Sequence, residues 1–166
     1  MIILGIDPGY AIVGWGVVDY QNTRFRPLAY GAITTPADME FSARLERIYD
    51  EMSLILAKYK PQEASLEELF FSNNKTTGIG VGQARGVFLL ACRKAGVPVS
   101  EYTPMQVKQA VVGYGKAEKK QVMEMAKVLL SLPSVPKPDD TADALAMAIC
   151  HGHCAGSLYS KLMRKG

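Results

Sequence analysis

The sequence predicts an α/β fold, a mixed five-stranded sheet with helices on both faces. Three observations carry this reading. Residues 1–35 read as strands joined by short turns, the pattern of an antiparallel meander. Residues 41–102 alternate helical and strand patterns, which inserts crossover helices between further strands. Residues 104–153 read as helix with two breaks.

Ile2 to Ile6 is a short apolar run, as in a buried central strand, and Asp7-Pro8-Gly9 is a turn. Ile12, Val13, Trp15, Val17 and Val18 make a second strand, with Gly14 and Gly16 interleaved, and Phe25 to Thr34 a third. Phe41, Leu45, Ile48, Met52, Ile55 and Tyr59 recur at helical spacing on one face, and Lys58, Lys60 and Pro61 mark the end of that helix. Ala64 to Leu69 is the fourth strand, followed by a polar stretch over residues 72–77. A helix over Val81 to Ala95 stops at Gly96 and Pro98, and Val97 to Tyr102 is the fifth strand. Helices over 104–112 and 117–130 are split by Gly113-Tyr114-Gly115, and a proline-rich link, Pro133 to Pro138, leads to a last helix from Asp139 to His153.

With 166 residues, 48% apolar and 21% charged, the chain has the composition of one ordinary globular domain, expected over 1–166. The apolar start ends at Asp7, too soon for a signal peptide or a membrane span, so a cytoplasmic location is expected. The odd, sparse set of Cys92, Cys150 and Cys154 argues for reduced thiols rather than a disulfide framework. Charge is unevenly spread. Residues 1–70 hold 6 basic and 10 acidic side chains, net −4, and residues 71–166 hold 13 and 6, net +7. A basic half is a footprint for a polyanion, and equally an ordinary solvated surface.

The carboxylates carry the chemistry. Asp7 ends an apolar strand, where an unpaired charge is costly. Glu67 and Glu68 end another strand, and Asp140 and Asp143 stand i,i+3 in the first turns of a helix. Carboxylates on separate elements can converge in a fold. Hard cations such as Mg²⁺ take oxygen ligands, and two of them roughly 3.5–4 Å apart can hold a phosphodiester for attack by water. Each acid also has a plainer reading: a turn at Asp7, a solvated strand end at Glu67 and Glu68, and favourable helix-terminus charge at Asp139, Asp140 and Asp143. Composition and spacing leave both open.

Several strings then occur in a telling order. They are Gly5-Ile6-Asp7-Pro8-Gly9, Leu66-Glu67-Glu68-Leu69-Phe70, Gly82-Gln83-Ala84-Arg85-Gly86, Gln106-Val107-Lys108-Gln109, Val111-Val112-Gly113-Tyr114-Gly115, Ala117-Glu118-Lys119 and Asp140-Thr141-Ala142-Asp143-Ala144-Leu145-Ala146. This ordered set, spanning residues 1–153, resembles the RuvC family of Holliday-junction resolvases. The resemblance implies a ribonuclease-H-like fold and an Asp–Glu–Asp–Asp metal site made by Asp7, Glu67, Asp140 and Asp143. Some members carry histidine in place of Asp140. It implies two Mg²⁺ ions, with Mn²⁺ an acceptable substitute. Asp139 falls one residue outside the pattern and reads as a helix cap; Glu68 also falls outside it. The resemblance further implies a homodimer that nicks four-way DNA junctions symmetrically in recombination and repair. The helix from Gly82 to Ala95 would form the dimer interface, and a branch-migration motor would be a partner. A C₂ dimer supplies the two equal sites that a two-fold junction requires.

Residues 106–137 hold Lys108, Lys116, Lys119, Lys120, Lys127 and Lys137 against Glu118 and Glu124. Such a face can bind phosphates or simply be solvated. Lys108 and Lys119 match junction-contacting positions of the family, and Lys116 and Lys120 join them as DNA-binding candidates. Phe70 matches the family's stacking position, Phe71 is the core alternative, and Asn73 stands where the family often has a basic residue. Gly78-Ile79-Gly80-Val81-Gly82 lacks the context of a nucleotide loop and suits close helix packing. Cys150-His151-Gly152-His153-Cys154 holds four zinc-type ligands, but one helix cannot aim all of them at one ion, so a helix end is the better reading.

Two other functions fit parts of the sequence. Asp7-Pro8-Gly9 before a β-turn also resembles the first phosphate loop of actin- and sugar-kinase-like ATPases, which need two such domains. A catalytically silent nucleic-acid binder of the same fold would lack members of the acid set, and all four acids are present here.

Overall fold

The computed structural model describes residues 1–68 and 75–156, with the backbone alone for 75–77. Five strands, β1 (Ile2–Asp7), β2 (Ile12–Gln21), β3 (Arg24–Thr34), β4 (Glu63–Glu67) and β5 (Val99–Tyr102), form one sheet in the order β3-β2-β1-β4-β5. β1, β2 and β3 pair antiparallel as the short turns require, and β4 and β5 join in parallel after helical crossovers. The helices are α1 (Phe41–Tyr59), α2 (Lys75–Lys94), α3 (Pro104–Val112), α4 (Lys119–Leu129) and α5 (Asp139–Gly156). None of the described helices is long and apolar enough to cross a membrane.

Side chains alternate across a strand, and that alternation sorts the sheet into two faces. Leu4, Ile6, Val13, Val17, Ala64 and Leu66 pack against α1 and α2. Ile3 and Val18 pack on the other side against α3, α4 and α5. Gly5 and Asp7 share the parity of Ile3, so they face α5. In register with them, Gly16 lies beside Gly5, Gly14 beside Asp7, and Ser65 beside Gly5 on the far side.

This glycine patch lets α5 lie almost on the sheet backbone. A Cβ on Gly5 would stand 2.0 Å from the Ala144 carbonyl oxygen, and one on Gly14 would stand 1.9 Å from that of Asp140. The helix answers with Ala142, Ala144, Ala146 and Ala148, all buried. Its first turn is tied further across the sheet, where the Thr141 hydroxyl donates to the Gly31 carbonyl at 3.0 Å.

Some boundaries differ from the sequence reading. The second crossover helix starts at Lys75, inside the polar stretch that gave no apolar period. β4 stops at Glu67, β5 starts at Val99, and α4 spans Lys119–Leu129. α5 continues to Gly156, so the Cys-His-Gly-His-Cys run is its last turns. Asp139 does not cap α5. It is the first helical residue, and its carboxylate pairs with the Lys137 ammonium at 2.6 Å. Phe70, Phe71 and Asn73 lie outside the described residues.

Both glycine contacts meet backbone, which cannot swing aside as a side chain does. Gly5→Ala and Gly14→Ala are each expected to destabilise the protein by about 1–3 kcal/mol, the cost of overpacking. Urea unfolding measures this; an unchanged midpoint in both variants would show that α5 does not sit against these strands.

Candidate active site

Asp7 and Glu67 are the last residues of neighbouring parallel strands, one step past the paired Ile6 and Leu66. Both therefore emerge at the same end of the sheet, the carboxyl end where α/β folds expose their sites. Glu67 shares the parity of Ser65 and so faces α5. From above, α5 brings Asp140 and Asp143 in its opening turns, at the depth that the Gly14 contact permits.

Asp7, Glu67 and Asp143 line one cleft of about 370 Å³. Lys108 of α3 and Lys119 of α4 stand on its rim, and Pro104, Val107, Val122, Ala146 and Met147 supply apolar walls. Asp140 is not among the lining residues but acts on the cleft through its charge. Lys116 is exposed in the turn before α4, and Lys120 lines an adjoining groove with Lys119 and Lys137.

Electrostatics mark the cleft as short of positive charge. Burial, then the charges of Asp143, Glu67 and Asp140, push the Asp7 carboxyl up to about 8, with Lys119 opposing. Burial and Asp143 also raise Glu67. Burial raises Asp143, against the pull of Lys119. The Lys119 ammonium pairs with the Asp143 carboxylate at 2.7 Å, and that hydrogen bond raises its own pKa. One ammonium does not balance this many half-buried carboxylates. The donor set is all oxygen, which fits a hard divalent cation. Among the described residues no three ligating side chains yet stand close enough to form a finished cage.

Behind the cleft runs a polar chain that the sequence did not disclose. His151, buried in α5, contacts the Tyr102 hydroxyl through Nδ1 at 2.8 Å and Glu63 Oε2 through Nε2 at 2.6 Å. It joins α5 to β5 and β4, and so helps fix the register of the helix that carries Asp143. The only hint in the sequence was that Glu63, Ser65 and Glu67 alternate onto one face. His151 thus serves the core, with Cys150 buried and Cys154 exposed beside it.

A family model described as Crossover junction endodeoxyribonuclease RuvC matches residues 3–151. A protein of that description from Clostridioides difficile is 59% identical over 153 residues, covering 92% of this chain and 90% of the relative. Another, from Brevibacillus brevis, is 60% identical over 151 residues and covers 91% of each chain. Among solved structures, Thermus thermophilus RuvC in complex with Holliday junction substrate superposes with a TM-score of 0.86 at 34% identity, covering 98% of this chain and 96% of that one. The yeast mitochondrial Holliday junction resolvase Ydc2 shares the fold, with a TM-score of 0.68 at 12% identity over 98% of this chain and 85% of that one.

The raised Asp7 pKa carries a sign. The folded state holds this proton up to about pH 8, whereas an unperturbed aspartate releases it near 3.8. Between those values the folded state binds more protons than the unfolded one, so stability falls as pH rises. In chelator, the urea midpoint is expected to drop from pH 4 towards pH 8. Asp7→Asn should make that slope shallower and leave the variant more stable than wild type at pH 8. A slope equal to wild type would place Asp7 outside the charge cluster.

Proposed function

This chain belongs to the RuvC family of crossover junction endodeoxyribonucleases, and on that premise we propose that it resolves four-way DNA junctions by paired symmetric nicks. The observation that carries the reading is the convergence of Asp7, Glu67 and Asp143 in one cleft with lysines on its rim. In this reading Asp7, Glu67, Asp140 and Asp143 hold divalent metal, Mg²⁺ or in its place Mn²⁺. When bound, such ions lower the pKa of an attacking water and neutralise charge on the scissile phosphate.

The remaining work belongs to the protein's own side chains. Lys108 and Lys119 draw a phosphate towards the carboxylates, and the phosphate competes with Asp143 for the Lys119 ammonium. That exchange frees Asp143 as a ligand. Val107, Val122 and Met147 limit water at the rear of the cleft. Lys116 and Lys120 extend the phosphate path, and Phe70, three residues past Glu67, is the base-stacking candidate. A homodimer gives the two sites that a two-fold substrate needs. The exposed Ile79 and Leu90 on α2 are consistent with that helix as the interface. A branch-migration motor as partner and a cytoplasmic location complete the proposal.

The deciding experiment is cleavage of a synthetic four-way junction beside linear duplex, with Mg²⁺ and with chelator. Symmetric Mg²⁺-dependent nicks confined to the junction are expected; tight binding without cutting would instead favour a silent binder. Asp7→Asn should bind the junction normally and cut at less than roughly one hundredth of the wild-type rate. Cutting at the wild-type rate would remove Asp7 from the metal site. Lys119→Ala should weaken junction binding and lower the slope of log affinity against log salt by about one. An unaltered slope would take Lys119 off the DNA surface.

A further inference from the structure

Glu67 stands at a frayed corner of the sheet. Its neighbour Glu68 still donates its N–H to the Tyr102 carbonyl at 2.9 Å, towards β5. Successive backbone groups of a strand point to opposite sides, so the Glu67 carbonyl points towards β1. The next donor along β1 on that side, after Ile6, belongs to Pro8, which has no N–H. The ladder therefore ends one bond early, at the residue whose carboxylate enters the cleft.

A side chain from α2 fills that gap. Arg85, nearly buried, donates from Nη1 to the Glu67 carbonyl oxygen at 2.9 Å. Its Nη2 pairs with Glu101 Oε1 of β5 at 2.6 Å. One planar guanidinium thus bridges the end of β4 to β5 from a helix on the opposite face to α5. A lysine cannot reproduce this, because its ammonium is a single point rather than a fork.

We propose that Arg85 is a positioning residue for Glu67, supplying the hydrogen bond that Pro8 cannot give and so setting where the Glu67 carboxylate meets the metal. This inference rests on the assignment of Glu67 as a metal ligand. Arg85 is not among the residues that line the cleft, so in this role it acts on metal affinity and the chemical step and leaves junction binding alone. Displacement of a reacting group by about 1 Å can cost up to about a hundredfold in rate.

The test uses the full-length protein and the variants Arg85→Met, Arg85→Lys and Glu101→Gln. Mn²⁺ binding to the DNA-free protein is read by calorimetry, junction affinity in chelator, and single-turnover cleavage across a range of Mg²⁺. Arg85→Met is expected to bind Mn²⁺ about tenfold more weakly, in the range for lost ligand-orienting partners. It should need more Mg²⁺ for half-maximal cleavage and keep wild-type junction affinity. Glu101→Gln, which spares the carbonyl contact, should lose less. If Arg85→Met fails to fold, Arg85→Lys decides, with an intermediate loss expected. A folded Arg85 variant with wild-type Mn²⁺ affinity and Mg²⁺ dependence overturns the proposal, as does a Glu101→Gln loss equal to that of Arg85→Met. Should the wild-type protein cut no junction, the functional reading falls, while the Mn²⁺ measurement still decides the role of Arg85.

Discussion

A carboxylate on a strand and a carboxylate on a helix can share a small cleft only if the two backbones nearly touch. Here that approach is set by the absence of side chains at Gly5 and Gly14, where even one methyl carbon would collide with carbonyl oxygens of α5. The alanines of α5 complete the fit from the other side. Helices that pack on sheets through Leu and Val stand farther off, and at that distance Asp143 would couple more weakly to Asp7 and Glu67. The close contact is therefore the condition for the electrostatics as well as for the packing.

Those electrostatics oppose folding. Half-buried carboxylates repel one another and lose part of their hydration, and Lys119 offsets only part of the cost. Stability comes instead from the two apolar cores on either face of the sheet, and from polar ties such as Thr141 to Gly31 and the Tyr102–His151–Glu63 chain. The cleft is an unfavourable arrangement held in place by its surroundings, as expected where function and not stability selects the residues.

Much of this was legible in the sequence where local signals are strong. The helix over Phe41–Tyr59 was readable from an unbroken apolar period. That over Pro104–Val112 was readable from its breaker at Gly113 and has a Thr103–Gln106 capping box. The strand-end placement of Asp7 and Glu67 followed from apolar runs that stop on an acid. The start of α2 was not legible, because residues 75–80 carry no apolar stripe in the sequence; Gly80 instead packs on the Tyr10 ring. Asp139 looked like a cap by residue type, yet Lys137 claims its carboxylate. Convergence of the acids came from family resemblance, since no spacing rule says that α5 lies over β1. The Arg85 contact escaped altogether: it depends on a missing N–H at Pro8, a fact about pairing and not about either residue alone.

The cleft is drawn from both extremes of the chain, Asp7 near its beginning and Asp143 near its end. During synthesis the first strands leave the ribosome long before the last helix exists. A nascent chain can carry Asp7 and Glu67 in a forming sheet, but without α5 it has neither Asp140 nor Asp143. A partial product thus lacks two of the four acids, and the cleft is complete only once α5 lies on the sheet.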